Sequence, residues 1–314
     1  MIGSFHADRL VVDQVLLLQS KSAFADGVLS SNRGVSMKTK HIYSLGILLA
    51  LMPGLMAGAD TTTKATAAQL SVVQIVENNV NARGGLQRWR AVQALEMKGK
   101  LQAGGNNRPT IPVPGTKMSP EVRVKRPTEQ VELPFVMELG RGRKQRLEIQ
   151  FNGQTAIQVY DGTQGWKVRP FLNRHEVEKF TPDELKAAGQ EADLDGFLID
   201  YAAKGSKVEL AGVDQVEGHN AYNLKVTDKN GNARHVWVDA QSFLELKVEG
   251  TPRRLDGKYH PVAVFLRDYR PVNGLMMPYL LETTVDGVKD TEKIEIEQIV
   301  SNPKLDDSQF AMPR

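Results

Sequence analysis

The side chains that could do chemistry are few. Glu191, Asp193 and Asp195 stand close together, and neighbouring carboxylates can hold a metal or share acid/base work. They open no Ca²⁺-loop spacing and read instead as the solvated charged face of a helix entry. The histidines are scattered: His175, His219, His235 and His260 keep no zinc spacing, and the chain has neither a cysteine nor a G-x-S-x-G elbow to supply a nucleophile. Gly104-Gly105 lacks the lysine of a phosphate loop. Residues 141–146 are basic but short and hold no aromatics, so they read as a solvated strand entry rather than a nucleic-acid site. These residue types point to a binding protein rather than an enzyme, with no cofactor and no metal expected.

What remains is apolar patterning, and residues 146–170, RLEIQFNGQTAIQVYDGTQGWKVRP, organise it. Leu147, Ile149 and Phe151 alternate with Glu148 and Gln150, and Ile157 and Val159 alternate with Gln158, the period of strands with one apolar face. Asn152-Gly153 and Asp161-Gly162 tolerate positive φ at both positions of a two-residue hairpin loop, so three antiparallel strands are expected. An apolar sheet face needs a cover. Residues 180–203 supply one, because the period there changes to that of a helix. Thr181-Pro182-Asp183-Glu184 has the composition of a capping box with proline at the first helical position. Leu194, Phe197, Leu198 and Tyr201 then recur at helical spacing, which predicts a second helix with one apolar stripe to bury.

Upstream, Val72, Val73, Val76 and Val80 recur at helical spacing and stop at Gly84-Gly85, and a short helical turn follows over 86–92. Residues 103–120, rich in Gly, Asn and Pro, read as a loop, and a strand is expected over 121–126. About eleven strands are expected in all.

At 314 residues and 41% hydrophobic content the chain can bury one sizeable core. Residues 1–59 hold five Lys/Arg and three Asp, leaving 35 basic and 34 acidic side chains, a net +1 that gives no reason to expect nucleic acid as partner. The absence of cysteine excludes disulfides and an acylated lipoprotein cysteine. Lys38 and Lys40, the apolar residues 42–55 and Ala57-Gly58-Ala59 form the three regions of a secretory signal peptide over 37–59, with cleavage after Ala59. The apolar run is about 14 residues long and contains Pro53-Gly54, too short for a spanning helix of about 20. Residues 1–36 read as an over-extended start or a disordered leader, and residues 60–314 as a single domain.

Three short motifs carry a family resemblance. Val124-Lys125-Arg126-Pro127, then Asp161-Gly162-Thr163-Gln164-Gly165-Trp166, then Leu305-Asp306-Asp307-Ser308 before Phe310 resemble, in this order, the LolA family of periplasmic lipoprotein carriers. The likeness spans most of residues 68–314. It implies an α+β fold in which a strongly curved antiparallel sheet, a half-open incomplete barrel, has an N-terminal helix and inserted lid helices on its concave face. It implies a ligand cavity lined by Leu147, Ile149, Phe151, Ile157, Val159 and Trp166 on the sheet. Leu194, Phe197, Leu198 and Tyr201 would line it from the lid. The plainer role of all ten is core packing. Arg126 matches the arginine that holds lid carbonyls in the closed state of the family. The implied cargo is the acyl chains of a lipoprotein, taken from an inner-membrane ABC transporter and passed to an outer-membrane receptor by a monomeric carrier in the periplasm. The receptor is itself a lipoprotein, so the missing cysteine favours the carrier. Related folds also serve as sensors of mislocalised lipoproteins and as glycolipid carriers. The sensors carry a second domain, for which residues 60–314 leave little room. The basic segment after Pro127 and the charged loop over 250–260 depart from the carrier pattern and leave the cargo open.

Overall fold

The computed structural model describes residues 70–104, 130–170, 174–255 and 258–314. The signal-peptide segment, the strand expected over 121–126 and Arg126 lie outside the described residues. Two helices come first, α1 (Val72–Ala82) and α2 (Leu86–Ala91). Five strands follow: β1 (Ala94–Gly104), β2 (Gln130–Gly140), β3 (Lys144–Phe151), β4 (Gln154–Tyr160) and β5 (Gly165–Arg169). Strand β6 (Arg174–Lys179) and helix α3 (Pro182–Glu191) come next. The second half contains β7 (Lys207–Val216), β8 (His219–Thr227), β9 (Ala233–Asp239) and β10 (Glu245–Leu255). It ends with β11 (Lys258–Val272), β12 (Leu275–Val285), β13 (Glu292–Ser301) and a 3₁₀ turn, Asp307–Phe310.

The thirteen strands form one antiparallel sheet in the order β6-β5-β4-β3-β2-β1-β13-β12-β11-β10-β9-β8-β7. Consecutive strands pair everywhere except between β6 and β7, and the two chain-terminal strands β1 and β13 pair with each other instead. The fold is therefore α+β, a curved antiparallel sheet not closed into a barrel, whose free ends are β6 and β7. Those two strands are adjacent in sequence, so residues 180–206 must run from one end of the sheet to the other. The expected count of about eleven strands missed β6, whose residues Arg174, His175, Glu176 and Glu178 give a strand with no apolar face to read.

The β3–β4 loop is the expected two-residue hairpin: Asn152 and Gly153 have φ of 50° and 73°, and Phe151 faces Gln154. The next loop is longer than expected. Tyr160 faces Gly165, which leaves Asp161 to Gln164 as a four-residue loop, and the Asp161 carboxylate accepts the Thr163 and Gln164 N–H groups, each at 2.7 Å. Gly165 is required by a neighbour, since a Cβ there would lie 2.1 Å from the Phe180 ring. Phe180 in turn begins the crossing segment.

The same turn geometry corrects the face assignment of the meander. Because Phe151 faces Gln154, Ile149 faces Ala156 and Leu147 faces Gln158, so odd-numbered residues of β3 share a face with even-numbered residues of β4. Ile157 and Val159 stand on the opposite face with Arg146 and Glu148, and Trp166, opposite Val159, joins them. The concave face at β4 and β5 instead carries Ala156, Gln158, Tyr160, Lys167 and Arg169, and α3 covers it through the ion pair of Lys167 with Glu184.

Two larger apolar clusters fill the concave side, and a smaller one packs Ala188 of α3 and Ala192 with Tyr160. One gathers Trp89 and Leu95 with Leu133, Phe135, Leu147 and Ile149, among others. The second joins Ile75 and Val76 of α1 to Val208, Leu224, Val226 and Val236 of β7 to β9. Helix α1 starts with a capping box, in which the Ser71 hydroxyl accepts from the Gln74 N–H and the Gln74 side chain accepts from the Ser71 N–H. Its buried stripe is Ile75, Val76 and Asn79, rotated from the valine stripe read in sequence, and Val73 is left 49% exposed.

Hairpin aspartates tie the sheet's stability to pH. Partial burial pushes the carboxyls of Asp161, Asp228 and Asp239 up, but hydrogen bonds outweigh it and hold all three below their ordinary value of 3.8. The donors are the Gln164 and Thr163 N–H groups for Asp161, the Asn232 side chain and N–H for Asp228, and Ser242 and Gln241 for Asp239. A carboxyl lowered in the folded state binds its proton more readily in the unfolded state, so its contribution is full above 3.8 and is lost as pH falls through the lower folded values. Urea unfolding midpoints measured at pH 7, 4 and 3 should therefore fall, most steeply below pH 4. A variant with all three aspartates changed to asparagine should show a flatter profile, and an unchanged slope would refute the assignment.

Candidate functional site

The crossing segment is the part of the molecule that covers the opening. The expected capping box is present: the Thr181 hydroxyl accepts from the Glu184 N–H at 3.3 Å, and the Glu184 carboxylate accepts from the Thr181 N–H at 2.7 Å. The expected second helix is not. Residues 194–205 form successive turns, because Gly196 and Asp200 take positive φ of 78° and 55°, a conformation that no α-helix can propagate through. Leu194, Phe197, Leu198 and Tyr201 thus share no helical stripe, yet all four face apolar partners. Leu194 and Ile199 join the cluster on β1 to β3, while Leu198, next to Ile199 in the chain, joins the cluster on β7 to β9 with Phe197 and Tyr201 packed against it. Leu198 and Ile199 are fully buried, each a contribution of about 1.5–3 kcal/mol.

Polar anchors fasten this closing segment. Asp195 is 2% exposed and was expected at the surface; it accepts from Arg141 Nη1 at 2.5 Å and from the Lys204 ammonium. Arg141 also donates to the main-chain carbonyls of Val92 and Trp89, which locks the β2–β3 turn to the end of α2. Lys204 donates further to the Gly196 carbonyl at 2.6 Å and lies 3.0 Å from Asp193. Burial pushes Asp193 up, against the pull of Lys204. Burial also opposes ionisation of Asp195, but Lys204 and the hydrogen bonds to it prevail and hold Asp195 below the usual carboxylate range. Arg83, the C-cap of α1, donates to the Asp195 carbonyl at 3.1 Å, pairs with Glu245 at 3.4 Å and lies 4.5 Å over the Trp89 ring. Finally, Arg90 of α2 grips Asp200 through two hydrogen bonds of 2.8 and 2.9 Å.

Two cavities flank the segment. A cleft of about 420 Å³ opens between α1 and the closing segment, walled by Val73, Val76, Val80, Leu86, Leu198 and Tyr201. A second, of about 460 Å³, lies between α3, the closing segment and the β8–β9 turn and is far more polar. Both fall in the size range of small-ligand sites. Of the sheet residues expected to line a cavity, Leu147, Ile149 and Phe151 lie beneath the closing segment in the cluster that includes Leu194, whereas Ile157, Val159 and Trp166 are on the far face. The pairing of Arg141, read as part of a solvated strand entry, and of Arg83 cannot be found in sequence, since their partners are 54 and 112 residues distant, and Lys204 is not singled out although Asp195 is only nine residues away.

The described residues thus define an open antiparallel sheet with a tethered apolar cover across its free ends. No protein-family model matches the chain, and no curated protein does. Among solved structures it is similar to a LolA superfamily protein from Nitrosomonas europaea, at 12% identity and TM-score 0.47, over 77% of this chain and 98% of that one. It is also similar to a DUF1329 family protein from Desulfovibrio piger, at 14% identity and TM-score 0.49, over 77% and 98% of the two chains. A third is a putative outer membrane lipoprotein-sorting protein domain from Vibrio parahaemolyticus, at 14% identity and TM-score 0.47, over 76% and 95%. No helix among the described residues is long and apolar enough to cross a membrane.

Proposed function

We propose that the protein is an exported carrier that shelters the acyl chains of a lipidated protein against its concave apolar face and carries them between membranes without covalent chemistry. One observation carries this reading. The concave face is covered by a helix and a run of turns, residues 180–206, fastened mainly by side-chain anchors instead of by strand pairing. Such a cover can be exchanged for a ligand. When an acyl chain takes its place, the sheet keeps its apolar contacts, at about 0.8 kcal/mol per buried methylene, and the anchors set the bias toward closure. The cleft beside Val73 is where a chain would begin to enter. The sequence resemblance to the LolA family implies the same cargo class, with an inner-membrane transporter as donor and an outer-membrane receptor as acceptor.

Native mass spectrometry of the full chain purified from its own cells tests the reading directly: lipid or lipopeptide should co-purify, and protein free of any amphiphile would count against it. Val73→Glu gives a sharper test. This half-exposed position tolerates a charge without loss of the fold, so the circular dichroism should be unchanged. Binding of a fluorescent fatty-acid probe should weaken about ten-fold, because a bound chain would have to cover and desolvate the new carboxylate. Unchanged probe affinity would remove the α1 cleft from the entry route.

A further inference from the structure

The polar cavity on the other flank of the closing segment has a composition the acyl-binding reading does not use. Four cations line it, Arg143, Lys186, Lys204 and Arg234, with two carboxylates, Asp193 and Asp228; Lys204 is committed to Asp193 and to the buried Asp195, so the cationic character rests on Arg143, Lys186 and Arg234. Both carboxylates are already hydrogen-bonded, and Asp228 also feels the positive charge of Arg234. Asp228 accepts from the Asn230 and Asn232 N–H groups and from the Asn232 side chain, closing the β8–β9 turn on itself, and Asp193 lies 3.0 Å from Lys204. The cations come from four separate places in the fold. Arg143 is in the β2–β3 turn and donates one Nη1 bond to the Gly189 carbonyl of α3; Lys186 is exposed on α3; Lys204 is in the closing segment; Arg234 is on β9. The floor is apolar, formed by Leu185, Phe197 and Val226, and the Arg234 guanidinium lies 4.2 Å over the Phe197 ring. Cationic walls over an apolar floor match an amphiphile whose head is anionic, and guanidinium and ammonium donors together favour the several acceptor oxygens of a phosphate.

We propose that this cavity binds the phosphate head group of a single-chain lipid, so that the carrier selects amphiphiles by an anionic head as well as by their chain. The proposal rests on the acyl-binding reading alone and gives the carrier a second cargo class, since the acyl chains of a lipidated protein bear no phosphate. Charges on α3, on the closing segment and on the β8–β9 hairpin converge on the flank of the cover opposite the α1 cleft, and the floor residues Phe197 and Val226 belong to the same apolar cluster as Leu198 and Tyr201 of that cleft.

The test uses the full chain loaded with a fluorescent fatty-acid probe. Competitors are oleoyl lysophosphatidic acid, oleoyl lysophosphatidylcholine and monooleoylglycerol, all below their micellar concentrations, and inorganic phosphate. Lysophosphatidic acid should displace the probe at a concentration at least ten-fold lower than either other lipid, and inorganic phosphate should neither displace the probe nor blunt that preference at millimolar concentration. In Lys186→Glu, a reversal at an exposed position, lysophosphatidic acid should come within two-fold of lysophosphatidylcholine. Equal potency of the two phospholipids in the wild type overturns the proposal, as does a preference that Lys186→Glu leaves intact. Inorganic phosphate that abolishes the preference would make this a site for the free anion and overturn the lipid assignment. Monooleoylglycerol separates the two claims: if it displaces the probe and the head-group preference is absent, only the present proposal falls. If no lipid displaces the probe, the acyl-binding reading falls with it.

Discussion

Asp195→Ala should unfasten the closing segment while leaving the sheet folded. The carboxylate is almost fully buried and serves two cations, Arg141 and Lys204, so its removal leaves both without their shared counter-charge. The cost is about 3 kcal/mol, the low end for breaking a buried pair, because Arg141 is about a third exposed and Lys204 keeps Asp193. The loss is local because the segment belongs to no strand ladder. The amides that report it are those of Gly196, Lys204 and Ser206, which donate to the carbonyls of Asp193, Asp200 and Tyr201 within the segment. Their hydrogen exchange should accelerate on the order of a hundred-fold, since each 1.4 kcal/mol is a factor of ten. Amides of β1 and β13, paired at the centre of the sheet, should keep their protection. Uptake of a fatty-acid probe should become faster in the same variant, because the open form is more populated. Equal acceleration across segment and sheet would mean that Asp195 supports the whole fold, and the cover would not be a separable unit.

The sheet and its opening were largely legible in the sequence, and the cover was legible only in part. Period-two alternation and the Asn152-Gly153 turn announce β3 and β4 because both signals are local. The face assignment of Ile157 and Val159 follows from the same turn: a two-residue loop shifts the parity between strands, so like-numbered alternation does not mean a shared face. The capping box at Thr181 is local and is present as read. The helix expected after it depended on Leu194, Phe197, Leu198 and Tyr201 alone, and spacing says nothing of the positive φ at Asp200. The Asp200 side chain is paired from outside the segment, with Arg90 of α2. The same limit hid Asp195. Among neighbouring acidic residues it reads as a solvated face, and what buries it is a turn arginine that joins it only after β1, β2 and the crossing segment have assembled. Arg126, the arginine singled out by resemblance, lies outside the described residues; among the described residues Arg83 donates to the Asp195 carbonyl of the closing segment and Arg143 to the Gly189 carbonyl of α3.

Arg83 should therefore separate two kinds of stability. Its guanidinium joins a carbonyl of the closing segment, a carboxylate of β10 and the face of Trp89, with all three partners shielded from water. Arg83→Met keeps an unbranched stem over Trp89 and strands Glu245, a residue 5% exposed, without its cation. Leaving that charge buried should cost about 3–5 kcal/mol in urea unfolding. Adding Glu245→Leu removes the stranded charge, and since two apolar side chains carry no desolvation penalty, the double variant should regain most of the loss. The Asp195 carbonyl gains nothing from the second change. Exchange at Gly196, Lys204 and Ser206 should stay fast in the double variant even as the sheet's unfolding midpoint returns. That divergence is the signature of a cover whose closure is set independently of the sheet it covers. If segment protection recovers together with the midpoint, Arg83 acts through Glu245 alone and its bond to the closing segment contributes nothing measurable.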